Sequence, residues 1–167
     1  TANGTNPVTV NGITSSPYAL VVAPAANTTY MISEVTDATG CSNAGTGSSK
    51  VMLGPVTTAA TVMACPNTVV SVPLTVRDFD DVEAVSLTLD YDAAVMTFAG
   101  FENTPASPIL FNSGNFQKTV TSGTEHLRIA KFLNPTDLAD NATLVTLMFN
   151  YNSGNTSLVW NDGDDTW

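Results

Sequence analysis

Val85-Ser86-Leu87-Thr88-Leu89-Asp90-Tyr91-Asp92 alternates without a break. Successive side chains of an extended chain point to opposite sides, so Val85, Leu87, Leu89 and Tyr91 share one face and Ser86, Thr88 and Asp90 the other. Residues 144–151 repeat the pattern, with Val145, Leu147, Phe149 and Tyr151 in phase. Two such strands predict one shared core: Val85, Leu87, Leu89, Val145, Leu147 and Phe149 buried together, with Ser86, Thr88 and Thr146 facing away. Working outward, shorter strands are expected at 18–22, 29–35, 50–53, 69–76, 95–101, 116–120, 127–132 and 158–160. Pro, Gly, Asn and Asp fill the gaps between them, as turns require. Two of these turns nearly repeat, Phe111-Asn112-Ser113-Gly114-Asn115 and Tyr151-Asn152-Ser153-Gly154-Asn155. No window of a dozen residues keeps apolar positions at helical spacing. Many short strands at roughly ten-residue intervals predict an all-β sandwich, with less than about a tenth of the chain helical.

The surface chemistry is unusual. Of 167 residues only 12% are charged, and 15 Asp+Glu against 5 Lys+Arg give a net charge of −10. Thr, Asn and Ser together make up 53 residues, so hydroxyls and amides carry the polarity. With 43% apolar residues the chain can still bury a core. Five scattered cations exclude a nucleic-acid surface, which needs clustered Lys and Arg, and disfavour an anionic membrane for the same reason. No run is long enough for a membrane helix; the most apolar stretch, residues 19–26, is interrupted by Pro24. The start shows no signal-peptide pattern, and Thr1 reads as the beginning of a mature or excised piece.

Charge divides the chain. Residues 1–58 carry only Glu34, Asp37 and Lys50, a net of −1, whereas residues 59–167 carry a net of −9. Residues 55–61 are small and unpatterned and read as linker. The expected organisation is a first β module at 1–58, a linker at 59–63 and a second at 64–167. The first is near the size at which an independent core becomes marginal.

The second module resembles a cohesin. The resemblance rests on Val70-Ser71-Val72-Pro73-Leu74-Thr75-Val76, the Leu87-Thr88-Leu89-Asp90-Tyr91-Asp92 block, Val95-Met96-Thr97-Phe98, and Leu144-Val145-Thr146-Leu147-Met148-Phe149-Asn150-Tyr151. It covers roughly residues 64–160 and implies a jelly-roll sandwich of the kind that receives dockerins in cellulosomes. The first module is similar to the closing half of an Ig-like repeat of giant Bacteroidetes surface adhesins. That likeness is carried by Ser15-Ser16-Pro17-Tyr18, Asn27-Thr28-Thr29-Tyr30 and Val35-Thr36-Asp37-Ala38-Thr39-Gly40-Cys41. Against those families both modules look truncated: the Ig-like piece lacks its opening strands, and the cohesin-like piece lacks a closing strand beside residues 69–76. Strands supplied by flanking sequence or a neighbouring chain are the expected remedy.

Cys41 and Cys65 leave two readings open. They bond to each other, closing a loop of about 25 residues worth roughly 3 kcal/mol in the chain-entropy model. Alternatively, as the resemblance implies, each pairs within its own module with a partner outside this chain. Either implies an oxidising compartment. A catalytic or metal-binding thiol lacks the neighbouring His or second Cys it would need.

Catalytic motifs are absent. His126, the sole histidine, lies in an alternating strand and is expected to face solvent, and no nucleophile elbow accompanies it. Gly45-Thr46-Gly47-Ser48-Ser49-Lys50 lacks phosphate-loop spacing and is expected to be a hairpin turn. Two acidic runs are weak Ca²⁺ candidates: Asp78, Asp80 and Asp81 before the first long strand, and Asp162, Asp164 and Asp165 near the end. A solvated acidic turn that keeps edge strands from aggregating is the favoured reading of both, and no cofactor is expected. Tyr91 and Tyr151 fall in phase with the core, whereas Trp160 and Trp167 are candidates for stacking on a sugar.

The expectation is therefore a non-catalytic, extracellular module on a bacterial cell surface, a segment of a long repetitive adhesin or fibre. Its partners would be neighbouring modules, adjacent copies, a surface glycan or another surface protein, with neither nucleic acid nor membrane insertion. A carbohydrate-binding module and a dockerin-binding cohesin are the alternatives.

Overall fold

The computed structural model describes residues 1–5, 7–105 and 107–161. The chain divides into two compact units, Thr1–Leu53 and Gly54–Trp167. The break falls at a glycine, earlier than the charge pattern suggests. Part of the stretch that reads as linker is a strand instead: Val56–Ala59 pairs antiparallel with residues 74–77, contributing Thr57 and Ala59 to the interior side, while residues 60–63 are irregular.

The first unit holds four short strands, β1 (Thr28–Met31), β2 (Glu34–Thr36), β3 (Ser42–Ala44) and β4 (Ser48–Val51). They form two separate two-stranded ribbons, β1 with β4 and β2 with β3. Residues 45–47 therefore connect one ribbon to the other rather than closing a hairpin. Residues 18–22, expected as a strand, are irregular and unpaired. No apolar residue of this unit is fully buried, and Leu20, Val21, Ile32 and Val35 are exposed. Two-stranded ribbons bury too little to hold a core of their own.

The second unit is a sandwich of eight strands: β5 (Val56–Ala59), β6 (Thr68–Arg77), β7 (Phe79–Asp92), β8 (Met96–Glu102), β9 (Phe116–Thr121), β10 (Thr124–Leu138), β11 (Thr143–Tyr151) and β12 (Val159–Trp160). One sheet runs β12-β7-β10-β9 and the other β5-β6-β11-β8, all antiparallel. A single 3-10 turn, Ser113–Asn115, is the only helical element among the described residues; Asn112 and Asn115 cap it reciprocally. The alternation in the sequence dictates this. Val72, Leu74 and Val76 of β6, Val85, Leu87, Leu89 and Tyr91 of β7, and Val145, Leu147 and Phe149 of β11 all point into one core. Ser86 and Thr146 lie on the outer faces as expected. Thr88 is also outward but only 5% exposed: it sits on a central strand, opposite Arg128 of β10.

The chain crosses between sheets at two corners that clamp each other. Between β6 and β7, Asp78 adopts φ 52°, and between β10 and β11, Asn141 adopts φ 64°. The Asp78 N–H donates to Asp140 Oδ1 at 3.0 Å, and the Asn141 N–H donates to the Val76 carbonyl at 2.7 Å. Asp and Asn tolerate the left-handed backbone that such corners need. The β9–β10 hairpin turns on Ser122 and Gly123, both at positive φ, as a two-residue hairpin loop demands.

The two long sides of the sandwich differ. Between β8 and β9 it is sealed by aromatics: the Phe116 ring stacks on Phe101 at 4.5 Å and on Phe98 at 5.4 Å. Phe98 is also held through its backbone from the opposite sheet. Its N–H donates to Glu125 Oε1 at 3.3 Å, and its carbonyl accepts from Lys118 Nζ at 3.3 Å. Between β5 and β12 the sheets leave a cavity of about 620 Å³, lined by residues that include Val70, Val72, Met96, Tyr151 and Leu158.

Candidate functional site

Among the described residues, the first acidic run does not assemble a metal site. Asp80 and Asp81 lie within β7 rather than in a loop, and only Asp78 occupies the corner. There the acids serve the backbone: Asp78 lies 3.4 Å from Arg77 Nε, and Asp137 Oδ1 accepts the Asp81 N–H at 2.7 Å. Among the described residues no group of three or more His, Cys, Asp or Glu converges on a point where a cation could sit. Asp162, Asp164, Asp165 and Trp167 lie outside the described residues. Trp160 faces inward and packs half-buried against the core, so it offers no exposed stacking platform. Cys41 and Cys65 are both free and exposed. Beside Cys41, Asp37 Oδ1 accepts from the Thr39 hydroxyl at 2.6 Å, the Thr39 N–H at 2.8 Å and the Cys41 N–H at 3.0 Å. These bonds, the Thr39 side chain first, hold the Asp37 carboxyl below its ordinary range.

Inside the sandwich lies a group the sequence reading passed over. Glu125 is 2% exposed, placed opposite Tyr91 in the β7–β10 ladder. Its Oε1 accepts from the Tyr91 hydroxyl at 2.7 Å, and Lys118 Nζ approaches to 4.0 Å. Burial, and then the hydrogen bond to Glu125, push the Tyr91 phenol well above its ordinary range. Buried carboxylates persist only when partnered in this way. With the Tyr91 hydroxyl, the Phe98 N–H and Lys118 all directed at the one carboxylate, the cluster is a structural tie.

The open surface with recognisable chemistry is the outer face of the β12-β7-β10-β9 sheet. Across it run three rows set by the register: Val159, Asp90, His126 and Thr119; then Thr88, Arg128 and Gln117; then Ser86 and Ala130. His126 faces outward as expected but is not simply solvated: its Nδ1 lies 2.7 Å from Asp90 Oδ1, with the imidazole 30% exposed. At the end of the rows Phe132, opposite Ala84, is 92% exposed. A shallow hollow of about 490 Å³ borders the face near Asp90, Thr124 and Val159. Phe132 was missed in the sequence because it was read as part of a strand; the available signal was its phase, with the polar residues rather than with Leu127 and Ile129. Among the described residues no metal-ligand set accompanies the face.

A family model, the cohesin domain, matches residues 55–164. The chain belongs to the cohesin domain family. Cohesin domains are non-catalytic protein–protein interaction modules, which agrees with the chemistry of the face. The match begins two residues after the first unit ends, so the cohesin module coincides with the eight-stranded sandwich. Among solved structures, one similar chain comes from the complex of the dockerin CaDoc0917, bearing one substitution, with the cohesin CaCohA2 at pH 5.5. It is 18% identical, with a TM-score of 0.50, covering 67% of this chain and 84% of that one. Another comes from the sixth cohesin of Acetivibrio cellulolyticus scaffoldin B in complex with a variant Cel5 dockerin. It is 19% identical, with a TM-score of 0.43, covering 64% of this chain and 82% of that one. A comparison with curated protein sequences returned no significant match. The all-β fold is as expected, and the family match does not extend over the first unit. Among the described residues no helix of the cohesin module, or of the unit before it, is long and apolar enough to cross a membrane.

Proposed function

We propose that the cohesin module receives a dockerin on the outer face of the β12-β7-β10-β9 sheet. The observation that carries this is Phe132, a large aromatic 92% exposed on a sheet face whose other residues are mostly polar. Aromatic anchors surrounded by polar groups are where interface energy concentrates. Val159 adds a second apolar contact across the face, and the His126–Asp90 pair and Arg128 supply directional groups between them. The family membership supplies the partner class. Titration calorimetry with dockerin modules tests the reading. The wild type binds, and Phe132→Ala loses most of the affinity while its denaturation midpoint stays put.

The setting we infer is extracellular, on a bacterial cell surface, where dockerin-bearing or adhesive proteins would be collected. A spacer role in a long adhesin is the second reading, and the first unit favours it, because its ribbons bury no apolar residue and suit a chain built from serial modules. A carbohydrate-binding role has less support, since Trp160 packs inward.

A further inference from the structure

The β6 strand is paired on both sides only along part of its length. Strand β11 covers it from Thr68 to Thr75, whereas β5 covers only Leu74 to Arg77. Pro73 accounts for where β5 stops. Its carbonyl accepts from the Ala60 N–H at 3.1 Å, but proline has no N–H to return, so the ladder cannot continue. Because strand residues alternate between neighbours, Ser71 and Val69 turn their backbone groups to the same side as Pro73. Among the described residues that leaves five, Thr68 to Val72, as an open edge. It borders the cavity of about 620 Å³, into which Val70 and Val72 project. An open edge beside a slot lined by uncharged side chains, Val70, Val72, Met96 and Leu158 among them, is an acceptor for an added strand.

The same chain carries a segment of strand composition that is in no strand. Tyr18-Ala19-Leu20-Val21-Val22 has strand composition and no proline, yet it is irregular, with Leu20 52% and Val21 93% exposed. Its five residues match the length of the open edge. Charge selects the pairing further. In a molecule of net charge −10, residues 1–33 contain no charged side chain, and neither does the cavity lining. These are the surfaces on which two copies approach with least repulsion.

We propose that residues 18–22 of one copy add as a strand to the β6 edge of a second copy, main chain on Val69 and Ser71, apolar side chains in the cavity. The contact is heterologous and does not close on itself, so it propagates head to tail into filaments.

Sedimentation velocity at rising concentration tests this with two exposed, fold-tolerant substitutions. Val21→Pro disables the donor; Ser71→Pro removes an edge N–H from the acceptor. Wild type is expected to form a concentration-dependent ladder of oligomers, and each variant alone to stay monomeric. Mixing the two is expected to give dimers and nothing larger, since Ser71→Pro still donates and Val21→Pro still accepts. Circular dichroism of each variant matching wild type keeps the result interpretable. A wild type that stays monomeric at all concentrations overturns the proposal, as do oligomers of Val21→Pro equal to those of wild type, which would mean edge-to-edge pairing of β6 with itself.

Discussion

The Tyr91 hydroxyl donates a 2.7 Å hydrogen bond to Glu125 Oε1 between the two sheets, directly across the β7–β10 ladder. The same carboxylate oxygen takes the Phe98 N–H of the opposite sheet, so one buried acid ties together three strands. Tyr91→Phe removes one of its donors and is expected to cost about 1–3 kcal/mol, the penalty for leaving a buried polar group short of a partner. Equilibrium denaturation measures it; an unchanged midpoint would mean that the tie carries no stability.

The raised pKa of Tyr91 has a definite sign. The neutral phenol is favoured in the folded state, so its contribution is fully present below the unfolded tyrosine value of about 10 and is lost as pH rises beyond it. Ultraviolet titration of phenolate should therefore find Tyr91 silent in the native protein and titrating only as the sandwich unfolds. A Tyr91 that ionises with the other tyrosines while the fold persists would contradict this.

Asp37 shifts the other way. Its folded pKa is lowered, so the stabilisation of the turn before Cys41 is present above the unfolded carboxyl value of about 3.9 and is lost as pH falls through the lower folded value. Amide resonances of Thr39 and Cys41 should titrate with a midpoint below that value. A midpoint at or above it would remove the Asp37 turn.

Leu87 and Leu147 lie on facing sheets and are 2% and 0% exposed. Replacing either by Ala is expected to cost about 2–5 kcal/mol, through lost burial and the cavity left behind. Thermal or chemical denaturation reads this directly, and small shifts for both would show a core far looser than the structure describes.

Much of the sandwich could be read in advance because burial imposes a period of two. Val85 to Tyr91 and Val145 to Tyr151 declared their faces, and the core follows them. What escaped was where pattern and chemistry part. Glu125 lies in phase with Leu127 and Ile129, yet carries a charge, which the period alone does not place inside; the Tyr91, Phe98 and Lys118 contacts reveal why it can be buried. Phe132 has the opposite mismatch, an apolar ring in the polar phase. β5 was hidden because Val56-Thr57-Thr58-Ala59 is short and edge-placed, so one side needs no strong alternation. Residues 18–22 carry strand composition without a partner in the described structure, a reminder that pairing is a tertiary fact.

The most direct test of the account is chemical-shift mapping of a bound dockerin on the isotope-labelled protein. The account predicts perturbations concentrated at Thr88, Asp90, His126, Arg128 and Phe132, with the opposite outer face around Thr75, Thr146 and Met148 unmoved. Perturbations centred on that opposite face, or none with any dockerin offered, would contradict it.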